Sequence, residues 1–288
     1  MIPAGFNYHA PRSVADAVKL LGALGPDAKL LAGGHSLLPM MKLRFATPST
    51  LIDLGKIADL KGIGQSGDEI RIGAMTTEHE LLHSKLIADK LPLLIEGVGQ
   101  IADPQVRYRG TIGGDICHGD PANDHPALML ALDASFVLSG PKGERVVKAE
   151  GYFVGLYETQ AQPDEILTQI RVPVPAAGTG WSYTKFKRKT GDFATAAAAV
   201  LLQMKGSAVA RVSMALTNAG PTPIKCCKAE AYLVGKPLDE ATLKEAARLA
   251  TEPCAPSGCL RGDADYKTAM AGEMARRALL TALSRAKA

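Results

Sequence analysis

Apolar residues recur at helical spacing after Ser13, at Val14, Ala17, Val18, Leu21 and Leu24, and the pattern stops at Gly25-Pro26. A serine oxygen accepts from amides of a first helical turn, so the spacing predicts a capped helix beginning at Ser13. The apolar runs Lys29-Leu30-Leu31-Ala32 and Leu51-Ile52-Asp53-Leu54 are bounded by turn residues and predict strands, making residues 1–54 a small α/β subdomain. Alternation in Glu69-Ile70-Arg71-Ile72-Gly73 predicts another strand, and Thr76 or Thr77 can start a helix with Glu78 and Glu80 in its first turn. Further strands are predicted over Ser135–Ser139 and Arg145–Lys148. Before them, Ile101 to Pro126 is irregular and polar, and an apolar helix is predicted over Ala127–Leu132. A structureless polar run of that length inside a compact chain is uncommon unless it binds something.

Pro173, Pro175 and Gly178-Thr179-Gly180 give the strongest linker signal. They divide the chain into residues 1–176, with subdomains 1–54 and 55–176, and residues 177–288. In the second part, Trp181–Phe186, Ala199–Met204 and Val209–Leu216 read as strands, and Asp239–Ala250 and Ala264–Ala286 as helices. Strands followed by helices predict a small α+β domain.

Two glycine turns, Ala32-Gly33-Gly34-His35-Ser36 and Thr111-Ile112-Gly113-Gly114-Asp115, follow apolar stretches. Glycine lets a backbone come close to a ligand, and successive amides in a tight turn attract anions, so a pair of such turns suits a diphosphate. On spacing alone they serve equally as plain connections in an α/β protein. Neither is a dinucleotide fingerprint of the GxGxxG type or a P-loop.

Composition narrows the partners. The net charge of +4 and the scarcity of aromatic residues, 5%, argue against nucleic acid as the ligand. No apolar run approaches the ~20 residues needed to span a bilayer, and the N-terminus lacks a basic region with an apolar core, so a cytoplasmic, non-transmembrane protein is expected. The five cysteines lack CxxC spacing, which suits reduced thiols; Cys117 is expected to be buried.

The longer words around the two turns, Leu31 to Arg44 and Ile101 to Asp115, resemble the medium, FAD-binding subunit of the carbon monoxide dehydrogenase and xanthine dehydrogenase (molybdenum hydroxylase) family. Gly119-Asp120-Pro121-Ala122-Asn123-Asp124-His125-Pro126-Ala127 and Lys185-Phe186-Lys187-Arg188-Lys189-Thr190-Gly191-Asp192-Phe193-Ala194 resemble the same family, and the match runs nearly end to end. The resemblance implies an α+β fold: a two-subdomain FAD-binding domain of the vanillyl-alcohol-oxidase type, followed by a small α+β C-terminal domain. It makes Ala32, Gly33, Gly34, His35 and Ser36 one diphosphate loop and Thr111, Ile112, Gly113, Gly114 and Asp115 the other. It adds Leu31, Ile101, Ala102, Asp103, Gly110 and Leu167 to the cofactor-binding residues. Asp124 matches a carboxylate that holds ribityl hydroxyls, and Lys187 a lysine near the flavin ring, where a cation can stabilise a reduced, anionic ring. Phe193 falls where similar proteins often carry a tyrosine over the ring, so stacking is kept and the hydroxyl is lost.

By the same resemblance, molybdopterin sits on a large partner subunit and two [2Fe-2S] clusters on a small one, in a dimer of heterotrimers. The chain relays electrons from those clusters through FAD to an external acceptor such as a quinone, in the cytoplasm or against the inner face of the membrane. Carbon monoxide is the leading substrate of the assembly; an aldehyde or an N-heterocycle is the alternative. A freestanding flavin oxidase and a non-catalytic scaffold are the alternatives of another class. The literal HExxH in His79-Glu80-Leu81-Leu82-His83 is the zinc-protease word, but no downstream third ligand follows, and it is read as a coincidental surface helix.

Overall fold

The computed structural model describes residues 2–287. Strands β1 (Asn7–His9), β2 (Ala28–Leu31) and β3 (Thr50–Asp53) form a parallel sheet in the order β1-β3-β2. Helix α1 (Val14–Leu24) is capped by Ser13, whose hydroxyl accepts from the Asp16 amide, and buries Ala17, Val18 and Leu21. Helix α2 (Leu37–Lys42) follows the first glycine turn directly.

The second layer is a five-stranded antiparallel sheet. Its strands in chain order are β4 (Ile63–Ser66), β5 (Glu69–Gly73), β6 (Ser135–Gly140), β7 (Gly143–Lys148) and β10 (Ile166–Pro173), the last lying between β5 and β6. A small hairpin, β8 (Phe153–Gly155) with β9 (Glu158–Thr159), precedes β10. Six helices fill the gap between β5 and β6: α3 (Glu78–Leu82), α4 (Lys85–Lys90), α5 (Pro92–Val98), α6 (Pro104–Arg107), α7 (Ile112–His118) and α8 (Asp124–Ala131). Thr77 starts α3 with a reciprocal cap in which Glu80 reaches back to the Thr77 amide.

The stretch expected to be irregular, 101–126, is therefore about half helical. Asp103 and Thr111 each accept a first-turn amide and start a short helix that composition alone conceals. The apolar helix begins at Asp124 rather than Ala127, carrying Asp124 and His125 into its buried first turn.

Strands β11 (Gly180–Phe186), β12 (Ala196–Lys205), β13 (Ala208–Thr217) and β14 (Ile224–Lys225) form an antiparallel sheet, followed by α9 (Cys227–Leu233), α10 (Glu240–Thr251) and α11 (Ala264–Arg285). The chain is thus a mixed helix and strand fold, as expected. β12 starts three residues earlier than the apolar pattern suggests. Its alanines are buried on both faces: Ala197 and Ala199 join the core of the five-stranded layer, while Ala196, Ala198 and Val200 join the core under α9, α10 and α11. Only small side chains let two layers close on one strand, which is why a poor strand former fills it. Polar ties reinforce this contact: Glu96 on α5 accepts from Arg285 and from the Tyr183 amide, and Lys225 and Ser213 donate to the Leu130 and Ala131 carbonyls at the end of α8. Among the described residues no helix is long and apolar enough to cross a membrane.

Candidate functional site

A cleft of about 580 Å³ lies where the three sheets meet, walled by the first glycine turn, the start of α7 and α8, β10, and the β11–β12 connection. Gly33 brings the first two layers together. A Cβ there would overlap the Arg109 carbonyl oxygen and stand 2.8 Å from the Gly110 Cα. Gly34 has φ of 80°, in the region glycine favours. Among the described residues the amides of Gly33, Gly34, His35 and Ser36 donate to no protein acceptor, so this turn presents a run of free donors.

The second glycine turn differs from expectation. Its residues open α7, and its amides are engaged inside the protein: Ile112 donates to the Thr76 carbonyl, Gly113 to the Ala74 carbonyl and Gly114 to the Thr111 hydroxyl. Gly113 is needed for packing, since a Cβ would stand 2.6 Å from that of Ala74. What this turn offers the cleft is the Asp115 carboxyl, whose Oδ2 is buried without a partner.

Asp124, 5% exposed, accepts from Lys185 Nζ at 2.7 Å and from the Tyr183 hydroxyl. Behind it, His125 and Glu78, both buried, pair at 2.8 Å through His125 Nε2. Burial alone would depress the His125 imidazole, but the Glu78 charge and hydrogen bond, with Asp115 and Asp124, push it up to about 9. Asp115 is pushed up to about 7 by burial, against the pull of His125 and with the acids Glu78, Asp124 and Asp120 adding to the rise.

These shifts give the chain a pH signature. A raised imidazole stabilises the fold fully below its unfolded value, near 6.5, and that stabilisation is lost as pH rises through about 9. We expect the unfolding temperature to fall across this window, by the equivalent of about 1 kcal/mol per pH unit, and the slope to flatten in His125→Gln. Thermal melts from about pH 6 to about pH 9.5 check this; an unchanged slope in the variant refutes it.

Of the residues singled out from sequence, Ala32, Gly33, Gly34, His35, Ser36, Ile101, Ala102, Gly110, Thr111, Gly113, Gly114, Asp115, Asp124, Leu167 and Phe193 line the cleft. Leu31, Asp103, Ile112 and Lys187 lie outside its lining. Leu31 ends β2, Asp103 caps α6, and the Ile112 side chain is wholly buried in the core. Lys185, which sequence reasoning passed over, takes the wall position. Lys187 continues the same strand face just beyond β11, half-buried, with its ammonium held low by burial and by Lys185. Tyr183, Lys185 and Lys187 share one face in a two-residue repeat, so periodicity places all three toward the cleft side without choosing among them. Glu78 and His125 gave no local signal, because their pairing joins positions far apart in sequence.

Cys117 is exposed on the cleft wall rather than buried, but its Sγ turns inward to 3.6 Å from the Tyr152 hydroxyl. Desolvation there pushes the thiol up to about 11, which makes it a poor nucleophile. The two histidines of the HExxH word stand ring to ring at 4.2 Å, and His79 stacks on Tyr108 at 4.0 Å. Among the described residues no group of three His, Cys, Asp or Glu is placed to hold a metal.

Comparison with known proteins shows the family and the overall fold. The family model described as "FAD binding domain in molybdopterin dehydrogenase" matches residues 4–175, and "CO dehydrogenase flavoprotein C-terminal domain" matches residues 181–282. The carbon monoxide dehydrogenase medium chain of Hydrogenophaga pseudoflava is 55% identical over 99% of both chains. The 6-hydroxypseudooxynicotine dehydrogenase complex subunit alpha of Paenarthrobacter nicotinovorans is 36% identical, covering 100% of this chain and 97% of its own. A solved structure of carbon monoxide dehydrogenase from Hydrogenophaga pseudoflava, in a form lacking the Mo-pyranopterin moiety, superposes with a TM-score of 0.99 at 56% identity over 100% of both chains.

Proposed function

The chain belongs to the FAD-binding flavoprotein subunits of the carbon monoxide dehydrogenase and xanthine dehydrogenase family, and on that footing we propose that it is the electron-relay subunit of an aerobic carbon monoxide dehydrogenase. Its partners are then a large molybdopterin subunit and a small subunit with [2Fe-2S] clusters, joined as a dimer of heterotrimers, and its acceptor is external, such as a quinone. The higher identity to a carbon monoxide dehydrogenase chain, 55% against 36% for the 6-hydroxypseudooxynicotine dehydrogenase subunit, supports carbon monoxide as the substrate of the assembly.

The observation that carries the FAD site is the pairing of a free-amide turn with an unpartnered carboxylate oxygen across one cleft. The amides of Gly33 to Ser36 suit a diphosphate, and Asp115 Oδ2 suits a hydroxyl donor of a ribityl chain. Both carboxylate oxygens of Asp124 are already engaged by Tyr183 and Lys185, and each keeps a lone pair for a further hydroxyl. Ile101, Ala102 and Leu167 supply apolar wall, and Phe193, 47% exposed, supplies a ring face for stacking. Lys187, beside Lys185 on the strand face, is the cation that stands ready for negative charge on a bound ring. FAD, when bound, exchanges electrons one or two at a time between donor and acceptor. The chain's own part is to hold it, orient it and exclude water, and no residue here acts on the substrate of the assembly.

Native mass spectrometry of whatever co-purifies with the tagged chain tests this. A heteromeric assembly carrying FAD, molybdopterin and [2Fe-2S] clusters is expected. A lone zinc-bearing monomer without flavin, or turnover of an organic substrate by the chain alone, overturns the proposal.

A further inference from the structure

The β11–β12 connection that closes the cleft is held from a distant part of the chain. Asp192, which is buried, accepts from Arg188 Nε at 2.8 Å through one oxygen and from Arg261 Nη2 at 2.5 Å through the other. The oxygen that meets Arg261 also accepts the Phe193 amide at 2.9 Å, so one carboxylate fixes both the guanidinium and the backbone that carries the ring. The Arg261 guanidinium carbon lies 5.6 Å from the centre of the Phe193 ring, within reach of a cation and ring attraction.

Arg261 is itself presented by a tight turn. Cys259 and Gly262 exchange backbone hydrogen bonds of 3.0 Å in both directions, and Lys267 on α11 donates to the Ser257 carbonyl at 2.8 Å. The Arg261 Nε is buried with no acceptor, which leaves the Asp192 contact as the bond that sets its position. Without that bond, the connection keeps the Thr195 amide on the Phe186 carbonyl and the Asn218 side chain on the Ala194 carbonyl, but the carboxylate that carries the Phe193 amide is left with Arg188, 46% exposed and screened by water, as its salt-bridge partner.

We propose that Arg261 is a positioning residue for the cleft: through Asp192 it holds the Phe193 ring across the cleft mouth and so sets how far a bound flavin is open to an outside acceptor. This rests on the FAD reading. The device joins two segments far apart in the sequence, one of which, the turn before α11, lies outside the cleft lining altogether.

The test is iodide quenching of flavin fluorescence in the complex purified with the tagged chain, compared for the unmutated protein, Arg261→Gln, Arg261→Lys, Phe193→Ala and the double variant Arg261→Gln/Phe193→Ala. Loss of a charge-assisted hydrogen bond on this scale raises the quenching constant about fivefold in Arg261→Gln. Phe193→Ala is expected to raise it equally, the double variant no further, and Arg261→Lys to restore most of the shielding. Should Arg261→Gln fail to assemble, Asp192→Asn removes the charge at constant size and carries the same expectation. A quenching constant unchanged in Arg261→Gln or in Phe193→Ala, or additive in the double variant, overturns the inference. Absence of flavin from the unmutated complex overturns the FAD reading and this inference together, whereas flavin present but unresponsive to Arg261→Gln overturns the inference alone.

Discussion

Gly33→Val empties the complex of flavin and lowers the stability of the chain by about 3 kcal/mol, the upper end for an overpacked site whose neighbours are backbone. The reason is local and steric. A Cβ at Gly33 overlaps the Arg109 carbonyl and crowds the Gly110 Cα at 2.8 Å, and neither is the flexible end of a side chain that can swing aside. The valine therefore pushes the N-terminal layer away from the helical layer, and the free-amide turn moves with it. Gly22→Ala is the matched control, because a Cβ there meets nothing within 4 Å and the residue sits inside α1. Alanine in a helix interior stabilises by about 1 kcal/mol over glycine, so the two substitutions have opposite signs. Flavin absorbance of the purified complex and a denaturant midpoint for the chain measure both effects. Full flavin content in Gly33→Val would refute the assignment of this turn.

Lys185→Met has an effect of similar size by a different route. Lys185 and Asp124 have side chains 1% and 6% exposed, so removing the ammonium leaves a carboxylate facing the cleft wall with the Tyr183 hydroxyl as its remaining protein donor. Breaking one half of a buried pair costs about 3–5 kcal/mol, whereas removing both charges together costs far less. Lys185→Met/Asp124→Asn is therefore expected to be more stable than Lys185→Met alone, a non-additivity that a double-mutant cycle from denaturant titrations reads directly. If the single variant loses less than about 1 kcal/mol, the pair is not the anchor described above.

The sequence made some of this architecture legible and hid the rest for identifiable reasons. The Ser13 cap, the α1 face and the alternation of β5 are local signals, and the structure shows each of them. The run from Ile101 to Pro126 stood out by its polar composition, and many of its residues line the cleft, yet its helices were not legible, because each is short and set by a capping side chain. β12 was foreshortened because an alanine run carries no alternation when both faces are buried. At the site, residue types and spacing left the turn at Gly33-Gly34 open between a donor cradle and a plain connection, and its free amides emerge in the folded chain. The turn at Gly113-Gly114 has the same residue types but is a helix start, its amides engaged by the Ala74 and Thr76 carbonyls, partners that no local pattern announces. Asp124 and Lys187 were named through family resemblance, while the ion pair of Asp124 with Lys185 went unread, because it joins positions 61 residues apart that no local pattern links.

The alternating burial of β12 bears on how the molecule comes apart. One strand belongs to two cores at once, so neither half keeps an intact interior if the other is removed. The proline and glycine stretch between β10 and β11 has the composition of a hinge, but severing it leaves the pieces gripping each other through the same alanines. The two parts are better regarded as one cooperative solid than as exchangeable cassettes, and a swap of the C-terminal part between relatives succeeds only when the alanine seam travels with both of its linings.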